Sequence, residues 1–225
     1  MQVDLYKLFH KCAYEIKYDT IGDSVNYKFI EDGRTLYIFF QGSNSITDWV
    51  ENFMFTQKVY KEFRVHKGFY RAYSQVRDLM LDKAMEEETK YELINNGLES
   101  RKVTRYKFNE IIIVGYSHGG ALTQLAHEDI VYHLPSVNVH SYAFESPRCL
   151  KVSKKYRDRW KDLVVIRNGC DIVTHCPPKI FGYTDLGTMI KIKGDVSLVN
   201  KRIPKCIKYH YPQCVENGLV NRFGK

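Results

Sequence analysis

The sequence contains no long hydrophobic run. No stretch approaches the roughly 18 uninterrupted apolar residues that a membrane-spanning helix needs. The start of the chain, MQVDLYKLFHKCAYEIKYDT, mixes charges among its apolar residues and does not contain the continuous apolar segment of a secretory signal. We therefore expect no transmembrane segment and no signal peptide, and a soluble protein that is intracellular or virion-associated.

Cysteine is sparse, and its number and spacing bear on two possibilities, a zinc site and disulfide bonds. The chain has 6 cysteines, and no Cys-x-x-Cys pair occurs among them. A zinc site is therefore not expected. Three disulfides remain an alternative, but the length of the chain and the missing signal favour free thiols.

Internal repeats, low-complexity tracts and linkers rich in proline or glycine are also missing. The chain has 225 residues, of which 6 are proline and 14 glycine. This length is enough to bury one sizeable core. We expect residues 1–225 to form a single domain.

Acidic residues are outnumbered by basic ones. Asp and Glu total 26 against 34 Lys and Arg, which gives a formal net charge of +8 and an isoelectric point near 9.0. This balance allows peripheral contact with an anionic lipid surface. The basic residues are scattered, and their densest clusters, 151–159 and 191–205, are typical of solvated faces. We therefore expect no nucleic-acid partner.

Strand-like and helix-like segments alternate through the middle of the chain. The patterns predict a hairpin at 25–42, a helix at 68–98, a strand at 109–115, a helix at 119–134, a strand at 137–144, a helix at 151–160 and a strand at 162–168. After residue 170 the pattern predicts a hairpin near 183–199 and an irregular tail. This alternation indicates an α/β fold with a mostly parallel central sheet flanked by helices.

A serine lies between glycines where the third of these segments ends. Residues 115–119, Gly-Tyr-Ser-His-Gly, fit the Gly-x-Ser-x-Gly pattern of a nucleophile elbow, with a strand before the pattern and a helix after it. The glycines avoid collisions at a sharp turn, and the N–H of His118 would point to a developing oxyanion. The alternative is a purely structural turn. We favour Ser117 as a nucleophile.

A serine nucleophile needs a base, and the base needs an orienting acid. Functional groups gather at the carboxyl ends of parallel strands. Asp171 follows the strand 162–168 at that end, whereas Asp162 precedes the same strand. We therefore expect Asp171 to be the acid.

The base is chosen by elimination. Six histidines lie inside predicted elements, too close to the serine or the aspartate, or before the first strand: His10, His118, His127, His133, His140 and His175. His210 lies in the C-terminal tail, where a loop can fold back over the sheet edge. It is the expected base, with an exposed tail histidine as the alternative.

Five segments in order resemble the class 3 (fungal-type) lipases, which have the α/β-hydrolase fold. They are YIFFQGSNSITDWVENF, VHKGFYRAY, IVGYSHGGAL, FESPR and DIVTHCPP, and the resemblance covers roughly residues 20–215. It implies Ser117 as nucleophile, Asp171 as acid and His210 as base. It also implies that Ser43 joins the His118 N–H in the oxyanion hole, and that His66 and His175 have structural or supporting positions.

The sequence departs from the family pattern at several positions. The residues that differ are Tyr116 for histidine, His118 for leucine, Glu145 for glycine, Thr174 for proline and Gln213 for tyrosine. The oxyanion hole uses backbone groups, so the change at His118 should alter the acyl pocket more than the chemistry.

A short amphipathic segment follows the oxyanion residue. Ile46, Trp49, Val50 and Phe53 recur at helical spacing, with polar residues on the other faces. Such a helix can be a lid that turns Ile46, Trp49 and Phe53 toward lipid. The alternative is a helix packed permanently on the core.

The sequence therefore predicts a serine ester hydrolase that cleaves acyl esters of lipids, of triacylglycerol lipase or carboxylesterase type, through an acyl-enzyme and without metal or organic cofactor. Its substrate would be a lipid or a small ester. Two alternatives remain open: a phospholipase or lysophospholipase of the same fold, and a catalytically inactive lipase-like binding protein.

Overall fold

A computed structural model describes residues 3–22, 25–41, 56–94 and 99–224. The strands are β1 (Asp19–Ile21), β2 (Val25–Asp32), β3 (Thr35–Phe40), β4 (Gln57–Tyr60), β5 (Phe63–His66), β6 (Glu87–Ile94), β7 (Glu99–Tyr106), β8 (Glu110–Tyr116), β9 (Asn138–Phe144), β10 (Leu150–Lys151), β11 (Leu163–Asn168) and β12 (Thr188–Ile192). The helices are α1 (Leu5–His10, followed by a π-helical turn, Lys11–Glu15), α2 (Lys67–Ala84), α3 (His118–His133), α4 (Lys205–Lys208) and α5 (Pro212–Phe223). Short 3₁₀ turns lie at Lys154–Trp160, Val173–His175, Lys179–Phe181 and Val196–Leu198.

Within the described ranges, seven strands form the central sheet, in the order β1-β2-β3-β8-β9-β11-β12. From β3 to β12 every neighbouring pair is parallel, and β1 and β2 add an antiparallel edge. Two smaller sheets, β10-β5-β4 and β6-β7, lie outside it. The predicted α/β fold with a mostly parallel sheet is confirmed.

The middle of strand β8, residues 111–114, is a continuous apolar run because both faces of the strand are covered. Ile111 and Ile113 belong to a core that includes α2 and α3, whereas Ile112 and Val114 belong to a second core that includes α1 and α5. Alternate side chains of a strand point to opposite faces, so a continuous apolar run is required for a strand between two helical layers.

The parallel register brings the ends of several strands to one edge of the sheet. Phe40 of β3 pairs with Gly115 of β8, Tyr116 pairs with Phe144 of β9, and Phe144 pairs with Ile166 of β11. The residues that follow β8, β9 and β11 therefore lie side by side at this edge, as expected for the site of an open parallel sheet.

The helix predicted at 68–98 is wrong in its second half. Helix α2 ends at Ala84, and β6 then pairs with β7 in an antiparallel hairpin. Thr89 lies opposite Thr104, with their hydroxyl oxygens 3.1 Å apart, and Glu88 lies opposite Arg105. Cross-strand pairs of this kind stabilise a sheet, and they override the helical tendency of the charged segment.

Two other predicted elements are also different in the structure. The segment 151–160, predicted as a helix, contains the end of strand β10 and a 3₁₀ turn that buries Trp160. The segment 183–199, predicted as a hairpin, contributes strand β12, which pairs in parallel with β11. A buried indole and a parallel partner strand are long-range features, which local periodicity does not report.

The C-terminal segment predicted as an irregular tail contains helix α5. Its buried residues, Cys214, Val215, Gly218 and Leu219, recur at helical spacing, and Pro212 occupies the first turn. Proline is favoured at that position because its missing N–H would have no partner there. The helical spacing of these apolar residues was present in the sequence, but polar residues lie between them.

All six cysteines are unpaired, as the sequence predicted. Among the described residues, no helix combines the length and the apolar character needed to cross a membrane.

Candidate active site

Ser117 lies on a strained turn between β8 and α3. Its φ of 57° and ψ of −121° are unusual for a residue other than glycine. A Cβ atom at Gly115 would lie 2.2 Å from the Gly119 carbonyl oxygen, and one at Gly119 would lie 2.2 Å from the Phe40 carbonyl oxygen. The two glycines therefore allow the strand, the turn and the helix to approach each other closely.

Ser117, His210 and Asp171 form a continuous hydrogen-bonded chain. The Ser117 Oγ lies 2.7 Å from His210 Nε2, and His210 Nδ1 lies 2.6 Å from Asp171 Oδ2. His210 and Asp171 are fully buried, and Ser117 is 6% exposed. With the imidazole neutral, Nδ1–H donates to the carboxylate and Nε2 accepts from the hydroxyl. This geometry fits a Ser-His-Asp triad.

Backbone groups and a buried arginine fix the segment that carries Asp171. The Asp171 Oδ1 accepts from the Val173 N–H at 3.0 Å, and the Asp171 N–H donates to the Asn168 carbonyl at 3.1 Å. Arg148, within the FESPR segment, donates to the carbonyls of His175 and Pro177. The carboxylate therefore has a fixed orientation toward His210.

Asn168 holds the segment that delivers His210. Its side-chain amide donates to the Tyr209 carbonyl at 2.8 Å, and its side-chain oxygen accepts from the Gly194 N–H at 2.8 Å. Asn168 is fully buried at the end of β11. One side chain therefore connects the sheet to the loop before the imidazole.

Tyr116 also contacts His210. Its ring is stacked on the imidazole, and its hydroxyl donates to the His210 backbone carbonyl. Burial, with the nearby Asp171 charge as a further cause, raises the pKa of Tyr116 well above its usual value, so the hydroxyl stays a donor. The residue before the serine is therefore part of the support of the imidazole.

His118 begins helix α3, directly after Ser117. Backbone N–H groups in the first turn of a helix have no partner within the helix, and the helix dipole favours negative charge there. The His118 N–H is thus in a suitable position for an oxyanion hole. Burial lowers the pKa of its side chain to about 4, so the imidazole is neutral near pH 7. Ser43 and the predicted lid residues Ile46, Trp49 and Phe53 lie outside the described residues.

Glu145 lies beside the triad and was given no role by the sequence. It follows β9, is fully buried and has a φ of 46°. One ligand atom each from Glu145, Asp171 and His210 lies within 4.8 Å of the other two, so these residues could supply three ligands to a metal ion. The site therefore contains two fully buried carboxyl groups that lie close together.

The other two histidines of the matching segments have structural contacts. His66 is buried and caps helix α2, accepting from the Phe69 N–H at 3.3 Å. His175 is exposed, and its Nδ1 lies 2.8 Å from the Asp171 carbonyl oxygen. Neither ring is hydrogen-bonded to Ser117. Asp162, rejected as the acid, is exposed and precedes β11.

The sequence therefore named the three groups that the structure brings together, and it missed three that surround them. Tyr116 and Glu145 were visible only as departures from a family pattern, and Asn168 gave no signal. Their contacts join segments far apart in the chain, which no local motif encodes.

A known protein family matches most of this chain. The family model described as "Lipase (class 3)" matches residues 37–181, more than half of the chain. A curated relative, a lipase from Rhizomucor miehei, is 28% identical over 169 residues, which cover 68% of this chain and 40% of the relative. The chain thus spans about two fifths of that relative's length.

Solved structures share the fold. A Rhizomucor miehei triacylglyceride lipase superposes with a TM-score of 0.64 at 20% identity, covering 90% of this chain and 82% of that one. A mutant form of MDLA from Penicillium cyclopium gives a TM-score of 0.64 at 16% identity, covering 96% of each chain. At these identities the similarity establishes the α/β-hydrolase fold alone.

Proposed function

Because the chain belongs to the class 3 lipase family, we propose that it is a serine ester hydrolase that cleaves acyl esters of lipids. The observation that carries the proposal is the buried chain of hydrogen bonds from Ser117 through His210 to Asp171, with links of 2.7 and 2.6 Å. Similar proteins named lipases support the substrate class.

The proposed reaction begins with Ser117. Its Oγ attacks the ester carbonyl carbon while His210 Nε2 takes the hydroxyl proton, and Asp171 stabilises the imidazolium that forms. The carbonyl oxygen becomes an oxyanion, which the His118 N–H stabilises from the start of α3. We retain Ser43 as the second donor, as the family resemblance implies.

The tetrahedral intermediate then collapses. His210 gives its proton to the leaving alcohol oxygen, the carbon–oxygen bond breaks, and an acyl-enzyme on Ser117 remains. Water then enters, and its oxygen attacks the acyl carbon while His210 takes one of its protons. The bond between the acyl carbon and Ser117 Oγ then breaks and His210 returns the proton to Oγ, which releases the carboxylic acid and restores the hydroxyl. The proposed steps use the side chains of the triad and backbone donors.

The strained backbone of Ser117 supports this assignment. A residue other than glycine at positive φ has a conformational cost of about 1–3 kcal/mol, which persists where the surrounding structure enforces it. The strained conformation of Ser117 places its hydroxyl at the sheet edge, next to the N-terminus of α3 and within hydrogen-bond distance of His210.

Labelling with a fluorophosphonate tests the nucleophile. Wild type should be labelled and should hydrolyse a 4-nitrophenyl ester, and Ser117→Ala should lose labelling and at least about 1,000-fold of its activity. Ser136→Ala, an exposed serine that precedes β9, is the matched control and should behave as wild type. Labelling that persists in Ser117→Ala would refute the nucleophile.

The base and the inactive-scaffold alternative are tested in the same assay. His210→Ala should retain folding and lose both labelling and hydrolysis, because the serine is then no longer activated. Full hydrolysis by this variant would assign the base to another residue. A folded wild type without labelling or hydrolysis would favour a lipase-like binding protein.

We also propose, from the sequence alone, that residues 46–53 form a lid and that the basic surface favours anionic lipid. Activity should rise sharply above the aggregation threshold of a medium-chain ester. A smooth saturation curve without a break would contradict a mobile lid.

A further inference from the structure

Glu145 occupies a position that is unfavourable for a glutamate in two ways. Its φ of 46° lies in the left-handed region, which costs a residue with a Cβ atom about 1–2 kcal/mol. Its carboxyl group is fully buried, and an unpaired buried charge is strongly disfavoured. Backbone strain beside a reactive group is a reason to ask what the side chain does.

The two carboxyl groups at this edge differ in their hydrogen bonds. Asp171 accepts from the Val173 N–H with one oxygen and from His210 Nδ1 with the other. Glu145 accepts from the Asn168 N–H through Oε2 at 3.0 Å, whereas its Oε1 is buried and has no hydrogen-bond partner among the described residues. Both oxygens of Asp171 are thus supplied with donors, and one oxygen of Glu145 is not.

Two buried carboxyl groups this close do not both ionise. Each hydrogen-bond donor stabilises a carboxylate. Because Asp171 has donors to both of its oxygens and Glu145 to only one, the negative charge belongs on Asp171 and the proton on Glu145. Burial, with the neighbouring Asp171 charge as the second cause, raises the pKa of Glu145 well above its usual value. The charged and titratable groups around Glu145 are Asp171, Arg167, Tyr116, Cys214 and His210.

We propose that Glu145 is a protonated carboxylic acid that donates a hydrogen bond from Oε1 to Asp171 and so positions the triad carboxylate. A protonated Oε1 is a donor, and one carboxyl oxygen of Glu145 lies within 4.8 Å of one of Asp171. This bond gives the unpartnered oxygen a partner and adds a donor to those that Asp171 accepts from Val173 and His210. The proposal rests on the proposed function only in taking Asp171 as the acid of the triad.

The proton on Glu145 has a predictable effect on the reaction. A neutral donor beside Asp171 fixes the carboxylate and withdraws some of its charge from His210. At alkaline pH the proton leaves Oε1 for solvent, and two adjacent carboxylates then repel each other next to the imidazole. Hydrolysis should therefore decline at alkaline pH through loss of kcat, with KM nearly unchanged.

Infrared difference spectroscopy tests the protonation state without any assay of activity. The spectrum of wild type minus Glu145→Gln at pH 7 should contain the carbonyl band of one protonated carboxylic acid. The matched control is Glu110→Gln, at the opposite end of β8, and its difference spectrum should contain a carboxylate band instead. Absence of the protonated band at Glu145 would overturn the proposal, even if the chain hydrolyses esters.

Kinetics with two variants test the positioning role. Glu145→Gln keeps a neutral donor, so it should keep kcat within about threefold and lose the alkaline decline. Glu145→Gly relieves the backbone strain but removes the donor, so kcat should fall about tenfold, the effect of one charge-assisted hydrogen bond. Equal kcat values and equal pH profiles in all three proteins would contradict the positioning role.

A metal ion is the competing explanation of the same cluster. If Glu145, Asp171 and His210 held one, the infrared bands of both carboxyl groups would be those of carboxylates, and a chelator would change the spectrum. That result would show that a cation, and not a proton, neutralises the carboxyl groups, and it would overturn the proposal. Because the infrared measurement does not use turnover, a failure of the proposed function would remain distinguishable from a failure at Glu145.

Discussion

The ring of Tyr116 is stacked on the ring of His210, with centroids 5.3 Å apart and planes inclined by 27°. The Tyr116 hydroxyl also donates to the His210 backbone carbonyl. The residue before the proposed nucleophile thus contacts the proposed base with both its ring and its hydroxyl, so the end of strand β8 also positions the imidazole.

Tyr116→Phe should separate these two contacts. The ring remains stacked while the hydrogen bond is lost, so we expect a fall in kcat of about 3- to 10-fold and a loss of about 1 kcal/mol of unfolding free energy. Steady-state kinetics and urea unfolding measure the two effects. Tyr91→Phe removes the same atom from a side chain that is 70% exposed and should leave both quantities unchanged. If Tyr116→Phe had the kcat and the unfolding free energy of wild type, the hydroxyl would have no role in positioning His210.

Asn168→Ala should loosen the segment that carries His210. Two buried hydrogen bonds are lost, to the Tyr209 carbonyl and from the Gly194 N–H, so unfolding free energy should fall by about 2–4 kcal/mol. The rate of ester hydrolysis should fall as well. Asn200→Ala, at an exposed turn, is the control. If stability fell and kcat did not, Asn168 would support the fold alone.

Unfolding free energy should decrease as the pH is lowered from about 6.5 to about 4. His127 is fully buried, and burial lowers its pKa to about 4. In this pH range the unfolded chain binds a proton that the folded chain does not, so protonation favours unfolding. The expected loss from His127 is about 3 kcal/mol by pH 4, and stability is regained as the pH rises through 6.5.

Chemical denaturation at several pH values measures this effect. His127→Gln should have a shallower dependence on pH than wild type. Ser136→Ala, which changes an exposed side chain that does not titrate, should keep the dependence of wild type. Parallel curves for wild type and His127→Gln would show that another group is responsible.

Gly115→Ala should destabilise the whole fold. The added Cβ would lie 2.2 Å from the backbone oxygen of Gly119, which has no room to move because α3 begins there. We expect a loss of about 3 kcal/mol or more, the upper range for overpacking. Gly33→Asn is the control, since a Cβ there meets nothing within 4 Å and asparagine tolerates positive φ. Thermal unfolding of both variants gives the comparison.

The parts of the fold that the sequence predicted are those that depend on local pattern. The apolar run of β8 and the glycines around Ser117 are each encoded within a few residues, and Asp171 follows directly from the end of β11. His210 was reached by elimination, since its approach to Ser117 depends on helices α4 and α5, which the sequence did not predict.

The errors have a physical cause in common. Residues 87–94 have the composition of a charged helix, but pairing with β7 makes them a strand. Strand β12 is specified by its parallel partner β11, and not by its own alternation. Likewise Tyr116, Glu145 and Asn168 have their roles through contacts with segments that are distant in sequence, so their neighbours in the chain do not reveal them.

The order of the segments has a consequence for the newly made chain. Ser117 precedes its imidazole partner by 93 residues. At translation rates of about 5–20 residues per second, the ribosome needs roughly 5–19 s to add the intervening length. During that interval the elbow has no proton acceptor from the C-terminal segment. If Ser117 is the nucleophile, as proposed, its hydroxyl gains its base only after residue 210 of these 225 has been added.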